Sequence, residues 1–460
     1  MEKRQLKNST DIYSWKHFEV LQQPEWPNIE KYNQVIQKLN SSPSLILYDE
    51  IIALKKRLQK IEEGNAFLVQ GGDCAETFKE FSEDNIKRKL EILFQMSTII
   101  SYGASIDIIK IGRIAGQYAK PRTLKMETRG EVTLPSYRGD SVNEIDFTLN
   151  ARTPNPEKLI KAYNQSLATL NLLKSLIKND FKNLEYFSLW NKKILNNPQI
   201  YKRFEKTIET ISKSLKFLNV LGEKIDLFRH KRFNEFYVSH EGLILDYETA
   251  FTKIYVNNTS KLENIYYNSG THMLWLGDRT RTINSAHVEY LSKIINPIGI
   301  KCGPDLDIEE LILIIKKINP LNEKGKIILI CRFGEKNITK KLPKLMKMVR
   351  KNKLNVIWAC DPMHGNTYQS KTNYKTRNFK TIINELKLFF ELHYINSTFP
   401  GGVHFEFTPN NVTECLGGIR NIKESDLHIK YETACDPRLN HEQGIELAFM
   451  IADLIKKNKD

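Results

Sequence analysis

The chain alternates between short apolar runs and longer amphipathic segments. Eight runs rich in Val, Ile, Leu and Phe begin near residues 66, 106, 235, 272, 297, 326, 355 and 402. Segments with apolar residues at helical spacing lie between most of them, among them Ser82–Ile100, Ala286–Ile295, Asp307–Ile318 and Asn378–Phe390. Short strands that alternate with helical segments predict βα units and a parallel sheet.

Eight consecutive βα units predict an α/β fold, the (β/α)8 or TIM barrel, whose catalytic groups lie at the carboxyl ends of the strands. The residues at these ends agree with that fold. Almost every predicted strand ends in Gly together with Asp, Cys, Arg, Lys, His or Glu. Functional residues are therefore expected at the strand ends.

One connection is much longer than the others. About 120 residues separate the second predicted strand from the third, where two to six are usual in α/β units. The interval contains two helical patterns, Pro156–Leu176 and Gln199–Leu221, and its apolar residues predict packing on the barrel or on another subunit. We predict an N-terminal extension over 1–64, a catalytic barrel over 65–460, and a helical insertion over about 156–232 after the second βα unit.

The composition is that of an ordinary folded protein, with 41% hydrophobic and 27% charged residues. No apolar run reaches the 18 residues of a membrane span, and Asp11, Lys16 and Glu19 interrupt the start of the chain, where a signal peptide needs an apolar core. Six cysteines without a CxxC pair indicate neither a disulfide framework nor a zinc ribbon. We expect a cytoplasmic protein with no membrane partner.

The net charge of +15 predicts attraction to phosphorylated or carboxylated partners. Nucleic-acid-binding proteins carry similar charge but usually concentrate it in one patch, whereas here the lysines are spread along the chain. We expect no nucleic-acid partner. A basic RNA-binding or structural barrel protein remains the alternative from a different class.

The first candidate group for chemistry is basic. Cations and one hydroxyl recur at or near the ends of the predicted strands, at Arg113, Lys120, Arg122, Thr123, Arg279, Lys301 and Arg332. Guanidinium groups bind phosphate or carboxylate in bidentate fashion, and lysine adds a mobile point charge. Each residue alone is compatible with a surface cation, but six cations at the catalytic face of a barrel have no packing purpose. Together they predict an anion-binding site.

The second candidate group contains metal ligands, namely Cys74, His364, Glu406 and Asp436. One thiolate, one imidazole and two carboxylates suit an exchangeable catalytic ion such as Mn, Co, Fe or Zn better than a closed structural zinc site. These residues lie far apart in the sequence. From the residues alone, a Cys or a His that only fills the core remains the alternative.

Eight segments, in this order, resemble the signature blocks of the class II 3-deoxy-D-arabino-heptulosonate 7-phosphate (DAHP) synthases. They are QGGDCAETF, GRIAGQYAKPR, SHEGLILDYE, WLGDRTR, GIKCGP, CDPMHGNT, GGVHFEFT and NVTECLGG. The likeness extends from near Trp15 to Asn440. The resemblance implies a (β/α)8 barrel with an N-terminal extension and extra helices after the second barrel helix, which matches the long connection.

The resemblance implies that phosphoenolpyruvate condenses with D-erythrose 4-phosphate to give DAHP and phosphate, the first step of the shikimate pathway to chorismate and the aromatic amino acids. By matching motif positions, phosphoenolpyruvate would be bound by Arg113, Arg279, Lys301 and Arg332. Erythrose 4-phosphate would be bound by Lys120, Arg122 and Thr123. A divalent metal, Mn²⁺ or Co²⁺ first and Zn²⁺, Fe²⁺ or Cd²⁺ as alternatives, would be bound by Cys74, His364, Glu406 and Asp436.

The same resemblance places the attacking water near Lys120 and Asp278, which are the predicted catalytic residues. Asp278 stands where some members of the family have Glu, and Thr123 stands where many have Ser. Within the enzymes, the alternative is a paralogue of specialised metabolism that uses an aminated aldose phosphate. We also expect a homo-oligomer, with aromatic amino acids as candidate effectors.

Cys435 is a further residue of interest because it immediately precedes the predicted ligand Asp436. Its sulfur could approach Cys74 when the metal is absent, which would make the two residues a redox-sensitive pair. Adjacent residues of an extended segment point to opposite faces, however, so a buried structural thiol is the alternative for Cys435.

Overall fold

The structure, a computed structural model, describes residues 11–179, 198, 201–206, 208–209, 213, 235–256 and 265–457. Its centre is a closed barrel of eight parallel strands, in which each strand pairs with its neighbours in the sequence and the last pairs with the first. The strands β1 to β8 are Ala66–Gly72, Asp107–Arg113, Tyr237–Glu241, Met273–Leu276, Ile298–Cys302, Ile327–Cys331, Ile357–Cys360 and Gly402–Glu406. All eight coincide with predicted runs, so the predicted fold class is confirmed.

The described helices form a layer outside the barrel. Helices α1 to α11 are Ile29–Asn40, Tyr48–Glu62, Glu83–Ala104, Leu149–Arg152, Glu157–Asn179, Leu245–Ala250, Ala286–Leu291, Ile308–Ile318, Ile338–Lys351, Phe379–Ile395 and His441–Lys457. Ser82 caps α3 by accepting the N–H of Asn85, and Asp307 caps α8 by accepting from Glu309 and Glu310. The strands are buried on both faces, which explains their nearly continuous apolar sequences.

One predicted helix is too long. The sequence pattern predicts a helix over Ala286–Ile295, but α7 ends at Leu291. Ile294 and Ile295 instead pair with a strand of an antiparallel hairpin, Ile265–Asn268. Ile295 donates its N–H to the carbonyl of Tyr266 at 2.9 Å, and Ile294 forms a β-bridge with the same residue. Hydrogen bonding to a neighbouring segment thus ends the helical pattern.

The first predicted helix of the insertion corresponds to α5. Leu170 and Leu173 are buried in a cluster with residues of α1 and α3, and Leu167 and Leu172 pack against it partly buried. The prediction that this helix packs on the body of the protein is therefore confirmed. In the second predicted helix, residues 201–206 are helical and Phe204 stacks on Phe449 at 4.9 Å. The rest of Gln199–Leu221 lies largely outside the described residues, and the domain boundaries stay predictions.

Three short antiparallel hairpins, which the strand pattern did not predict, join the barrel. They pair Met126–Arg129 with Val132–Pro135, Thr252–Tyr255 with Ile265–Asn268, and Thr367–Gln369 with Lys375–Arg377. The N-terminal segment crosses the same end of the barrel as the first hairpin, since Gln22 accepts the N–H of Arg122 at 2.9 Å and Gln23 donates to the carbonyl of Leu243 at 2.7 Å. The N-terminal segment and the first and third hairpins build up the rim around the carboxyl ends of the strands, whereas the second hairpin pairs with Ile294 and Ile295 at the amino-terminal end.

Candidate active site

A cavity of about 540 Å³ opens at the carboxyl ends of the strands. The predicted substrate-binding and catalytic residues all lie in its wall, namely Arg113, Lys120, Arg122, Thr123, Asp278, Arg279, Lys301 and Arg332. Of the predicted metal ligands, His364 and Asp436 line the cavity as well, and the buried Cys74 and Glu406 adjoin them. The barrel thus gathers residues that are up to several hundred positions apart in sequence.

The register of the barrel explains how Arg113 meets Glu406. Gly72 at the end of β1 pairs with Arg113 on one side and with Glu406 on the other. Gly72 has a φ of +149°, and a Cβ atom there would lie 2.7 Å from the Arg113 carbonyl oxygen. The missing side chain lets the strands approach, and Arg113 Nη2 lies 3.1 Å from Glu406 Oε1.

The cations of the cavity are only partly neutralised by the protein. Lys301 Nζ contacts Asp361 at 2.5 Å, and Arg332 Nη1 contacts Asp278 at the same distance. Burial lowers the pKa of Lys301 to about 8, because Asp361 does not fully offset the desolvation and the charge of Arg113. An anion bound in the cavity would restore the preference of Lys301 for its charged form.

A hydrogen bond joins the two predicted substrate sites. Arg279 Nη2 donates to Thr123 Oγ1 at 2.8 Å. Arg279 was predicted to bind phosphoenolpyruvate and Thr123 to bind the aldose phosphate. The two predicted anion sites are therefore adjacent in one cavity.

Three potential metal ligands form a cluster. One ligand atom from each of Cys74, Glu406 and Asp436 lies within 4.8 Å of the other two. The fourth predicted ligand, His364, is close to this cluster, with Nε2 3.1 Å from Glu406 Oε1 and Nδ1 2.7 Å from Asp361 Oδ2. The Asp361 contact orients the ring so that Nε2 faces the cluster, an arrangement that supporting carboxylates often give to metal-binding histidines.

Surrounding cations keep the two carboxylates of the cluster ionised. Burial alone would raise the pKa of Asp436, but Lys120, Lys375 and Arg377 outweigh this and lower it far below its usual range. The pKa of Glu406 is likewise lowered against burial, by His364, Arg377 and Arg113. Burial and the neighbouring Cys435 and Glu406 raise the pKa of the Cys74 thiol. A cation between these groups would favour the thiolate.

Several residues in or beside the cavity were missed by the sequence analysis. Glu241 at the end of β3 lines the cavity, and its buried Oε1 has no hydrogen-bond partner among the described residues. Its position at a strand end was a usable signal, as was that of Asp361 after β7. Lys375, which contacts Asp436, and Arg377, 2.8 Å from Glu406, lie on a hairpin that the sequence pattern did not indicate.

Cys435 also lines the cavity, and its thiol lies beside that of Cys74. This contact lowers the pKa of Cys435 against the effect of burial. Residues 433–436 form a turn, in which Thr433 Oγ1 donates to the Asp436 carbonyl at 2.7 Å. The alternation of an extended segment therefore does not apply, and Cys435 and Asp436 both face Cys74.

The chain belongs to the Class-II DAHP synthetase family, whose model matches residues 10–452. It is 43% identical over 443 residues to the phospho-2-dehydro-3-deoxyheptonate aldolase of Streptomyces coelicolor, which covers 96% of this chain and 97% of the relative. It is 40% identical over 439 residues to phospho-2-dehydro-3-deoxyheptonate aldolase AroG of Mycolicibacterium smegmatis, which covers 95% and 92%. The resemblance and the synthase function predicted from the motifs are confirmed. No helix of the described part of the chain is long and apolar enough to cross a membrane.

Proposed function

We propose that this chain condenses phosphoenolpyruvate with D-erythrose 4-phosphate to give DAHP and inorganic phosphate, the first step of the shikimate pathway. The observation that carries the proposal is one cavity with two adjacent groups of cations beside a cluster of metal ligands. The relatives support it, because both are named phospho-2-dehydro-3-deoxyheptonate aldolase and match over nearly their whole length.

The ligand cluster fits a divalent metal ion. A thiol and two ionised carboxylates lie together with one ligand atom each within 4.8 Å of the others, a mixed donor set that divalent transition metals bind. Cys74, Glu406 and Asp436 would bind the ion, with His364 as the fourth ligand. The mixture of soft and hard donors suits Mn²⁺ or Co²⁺, with Zn²⁺, Fe²⁺ and Cd²⁺ as alternatives. When bound, the ion would supply Lewis-acid polarisation of the aldehyde oxygen of the aldose phosphate.

The phosphoenolpyruvate site is formed by Arg113, Arg279, Lys301 and Arg332, which hold the carboxylate and the phosphate. The aldose phosphate site is formed by Lys120, Arg122 and Thr123. The hydrogen bond between Arg279 and Thr123 supports two adjacent sites. The fixed cations orient C3 of the enol phosphate towards the aldehyde carbon and stabilise the charge that develops during the reaction.

The attack of C3 on the aldehyde carbon leaves positive charge at C2, which a water molecule captures, and negative charge on the former aldehyde oxygen, which takes up one proton in exchange for the proton that the water releases. The second proton of the water leaves the C2 hydroxyl with the phosphate as the ketone forms. Lys120 and Asp278 hold this water. Asp278 accepts from Arg332 and Arg281, and these arginines lower its pKa despite burial, so it stays ionised and orients the water without taking its proton. The unpaired oxygen of Glu241 is in the same wall, and burial raises its pKa, which suits it to accept that proton. Loss of phosphate from C2 completes the reaction.

The direct test is the loss of phosphoenolpyruvate absorbance on addition of erythrose 4-phosphate, with phosphate release measured in parallel. We expect one phosphate per phosphoenolpyruvate, no turnover after exhaustive chelation, and recovery with Mn²⁺ or Co²⁺. Erythrose without its phosphate is the matched control and should be a poor substrate. Full activity in a chelated, metal-analysed sample would contradict the metal site, and no consumption with any of the five ions would contradict the function. An aminated aldose phosphate as the better substrate would favour the specialised pathway.

We further propose that the protein acts as a homo-oligomer that aromatic amino acids inhibit. This rests on the family alone. Light scattering after size-exclusion chromatography measures the oligomeric state. Assays with phenylalanine, tyrosine and tryptophan, singly and combined, measure inhibition. A monomer would contradict the oligomer, and unchanged kinetics would contradict the effectors.

A further inference from the structure

Arg113 is held by the protein on almost every side. Its Nε donates to the Asp73 carbonyl at 3.0 Å, and its Nη2 donates to the Cys74 carbonyl at 2.9 Å and to Glu406 at 3.1 Å. Its Nη1 lies 2.8 Å from Nε2 of His404. A guanidinium has five N–H donors. Among the described residues these contacts use four, which leaves one N–H on Nη1 for a ligand in the cavity.

The contact with His404 begins a directed chain of hydrogen bonds. A guanidinium cannot accept, so His404 Nε2 accepts from Arg113 and the ring proton is on Nδ1. His404 Nδ1 then donates to Gln70 Oε1 at 2.8 Å, and Gln70 Nε2 donates to Ser239 Oγ at 2.9 Å. Ser239 Oγ donates to the carbonyl of Gly112 at 3.3 Å. Because Gly112 precedes Arg113, the chain closes into a ring.

The ring spans four adjacent strands of the barrel, β8, β1, β2 and β3. Gln70, Ser239 and His404 are completely buried. The interior of such a barrel is usually filled by Val, Ile and Leu, and burial of polar groups costs free energy unless each finds a partner. An apolar layer would fill the same space. The polar layer therefore serves the group to which it is connected, which is the guanidinium of Arg113.

The stacking of the ring systems fixes the same group from another side. The Arg113 guanidinium lies 5.1 Å from the ring centre of Trp275, and that ring meets the His404 ring edge-on at 5.5 Å. His404 thus contacts Arg113 directly through Nε2 and also contacts Trp275, the ring that lies against the guanidinium. Rotation about the Cδ–Nε bond would break the His404 contact together with the contacts to Cys74 and Glu406, so these acceptors fix the guanidinium jointly.

We propose that His404, held by Gln70 and Ser239, is a positioning residue that fixes the Arg113 guanidinium so that its remaining N–H meets phosphoenolpyruvate. This rests on the proposed function, because it needs Arg113 to bind that substrate. Arg113 lines the cavity, whereas His404, Gln70 and Ser239 do not. We therefore expect the effect of His404 to fall chiefly on the affinity for phosphoenolpyruvate.

The test compares two polar variants of similar size. His404→Gln can place its amide oxygen near the position of Nε2 and accept from Arg113, whereas His404→Asn can replace only Nδ1 and reach Gln70. We expect His404→Asn to raise the KM of phosphoenolpyruvate about tenfold or more and His404→Gln to raise it less than threefold. The KM of erythrose 4-phosphate should change less than twofold in both. Ser239→Ala, at the far end of the chain, should raise the KM of phosphoenolpyruvate by about twofold to threefold.

His393→Gln is the matched control, because His393 is equally buried but bonds to Thr398 outside the barrel. It should lower thermal stability and leave both KM values unchanged. Equal effects of the Gln and Asn variants, or an equal rise of both KM values, would overturn the role of His404. If His404→Asn does not fold, the Gln variant and Ser239→Ala still decide by the same split between substrates. An inactive wild-type protein would instead overturn the proposed function.

Discussion

Buried cations occupy both ends of the barrel, but their partners differ. At the amino-terminal end, Arg57 binds Asp107 through two N–H groups at 2.7 and 2.9 Å, and its Nε lies 2.6 Å from Glu235. Lys326 donates to the carbonyls of Ile294 and Asn296 at 2.6 and 2.7 Å. The protein itself provides the acceptors there.

At the carboxyl end, the cavity wall contains seven Lys or Arg and four Asp or Glu. Several of these carboxylates are already shared, since Asp278 contacts both Arg281 and Arg332, and Asp436 contacts Lys120 and Lys375. Arg113 and Lys301 are paired with Glu406 and Asp361 behind the wall, whereas Arg122 and Arg279 make no ion pair with the described residues. Cations at the amino-terminal end therefore stabilise the fold, whereas those at the carboxyl end are arranged for anions from solution.

The largest expected effect is on stability at the amino-terminal end. Arg57→Ala should reduce the free energy of unfolding by about 3 kcal/mol, because it removes the two N–H donors of Asp107 and the cation 2.6 Å from Glu235. Urea unfolding measures this change. The KM values of both substrates should stay within twofold of wild type. If Arg57→Ala had normal stability but weakened substrate binding, the conclusion that cations at the amino-terminal end serve stability would be wrong.

The next effect is on binding at the carboxyl end. Arg332→Ala should raise the KM of phosphoenolpyruvate about 10- to 100-fold, since a charge-assisted hydrogen bond contributes about 1.5–3 kcal/mol. Arg122→Ala should do the same for erythrose 4-phosphate. Steady-state kinetics with each substrate varied in turn separates them. Variants that raise both KM values equally would show that the two anion sites are wrongly assigned.

A smaller effect concerns pH. The pKa of Lys301 is lowered to about 8 by burial and by Arg113, so the unliganded protein loses this charge as the pH rises above 8. The KM of phosphoenolpyruvate should then rise by up to about tenfold per pH unit, because binding must first restore the proton. Lys301→Arg should flatten this profile. Lys326→Met is the control, because the pKa of Lys326 is also lowered, to about 7, but that residue contacts only the barrel's other end. A profile altered by Lys326→Met would contradict the separation of the ends.

The smallest effect concerns the cysteines. Cys435 contacts Cys74 in the cavity wall, whereas Cys360 is completely buried in β7, where burial raises its thiol pKa. Metal-free protein should lose activity in air faster than metal-bound protein and recover with dithiothreitol. Cys435→Ser should resist this loss, and Cys360→Ser should behave as wild type. The absence of a peptide linking Cys74 to Cys435 in the oxidised protein would exclude the pair.

The strands could be predicted because their apolar runs are local. Ile327–Cys331, for example, is apolar throughout and is bounded by Lys326 and Arg332. The positions of cations at strand ends were predictable for the same reason. The ring of Gln70, Ser239 and His404 was not, because these residues are far apart in sequence and each alone is an ordinary polar residue of a strand. Their relation exists only through the register of four strands. The sequence left the orientation of Cys435 open, because the turn at residues 433–436 that brings it towards Cys74 has no local sequence signal.

The strand order has a consequence for how the protein folds. Each strand pairs with its neighbours in the sequence, but closure of the barrel also requires β1 to pair with β8, which is more than 300 residues away, as where Gln70 pairs with His404. Joining segments so distant in the chain carries the greatest loop-closure entropy of all the pairings. The candidate metal ligands lie on both sides of this β1–β8 pairing, with Cys74 following β1 and Glu406 ending β8. A chain in which β1 and β8 are not yet paired therefore has no assembled metal site. Metal binding would stabilise the strand pairing that forms at the greatest entropic cost.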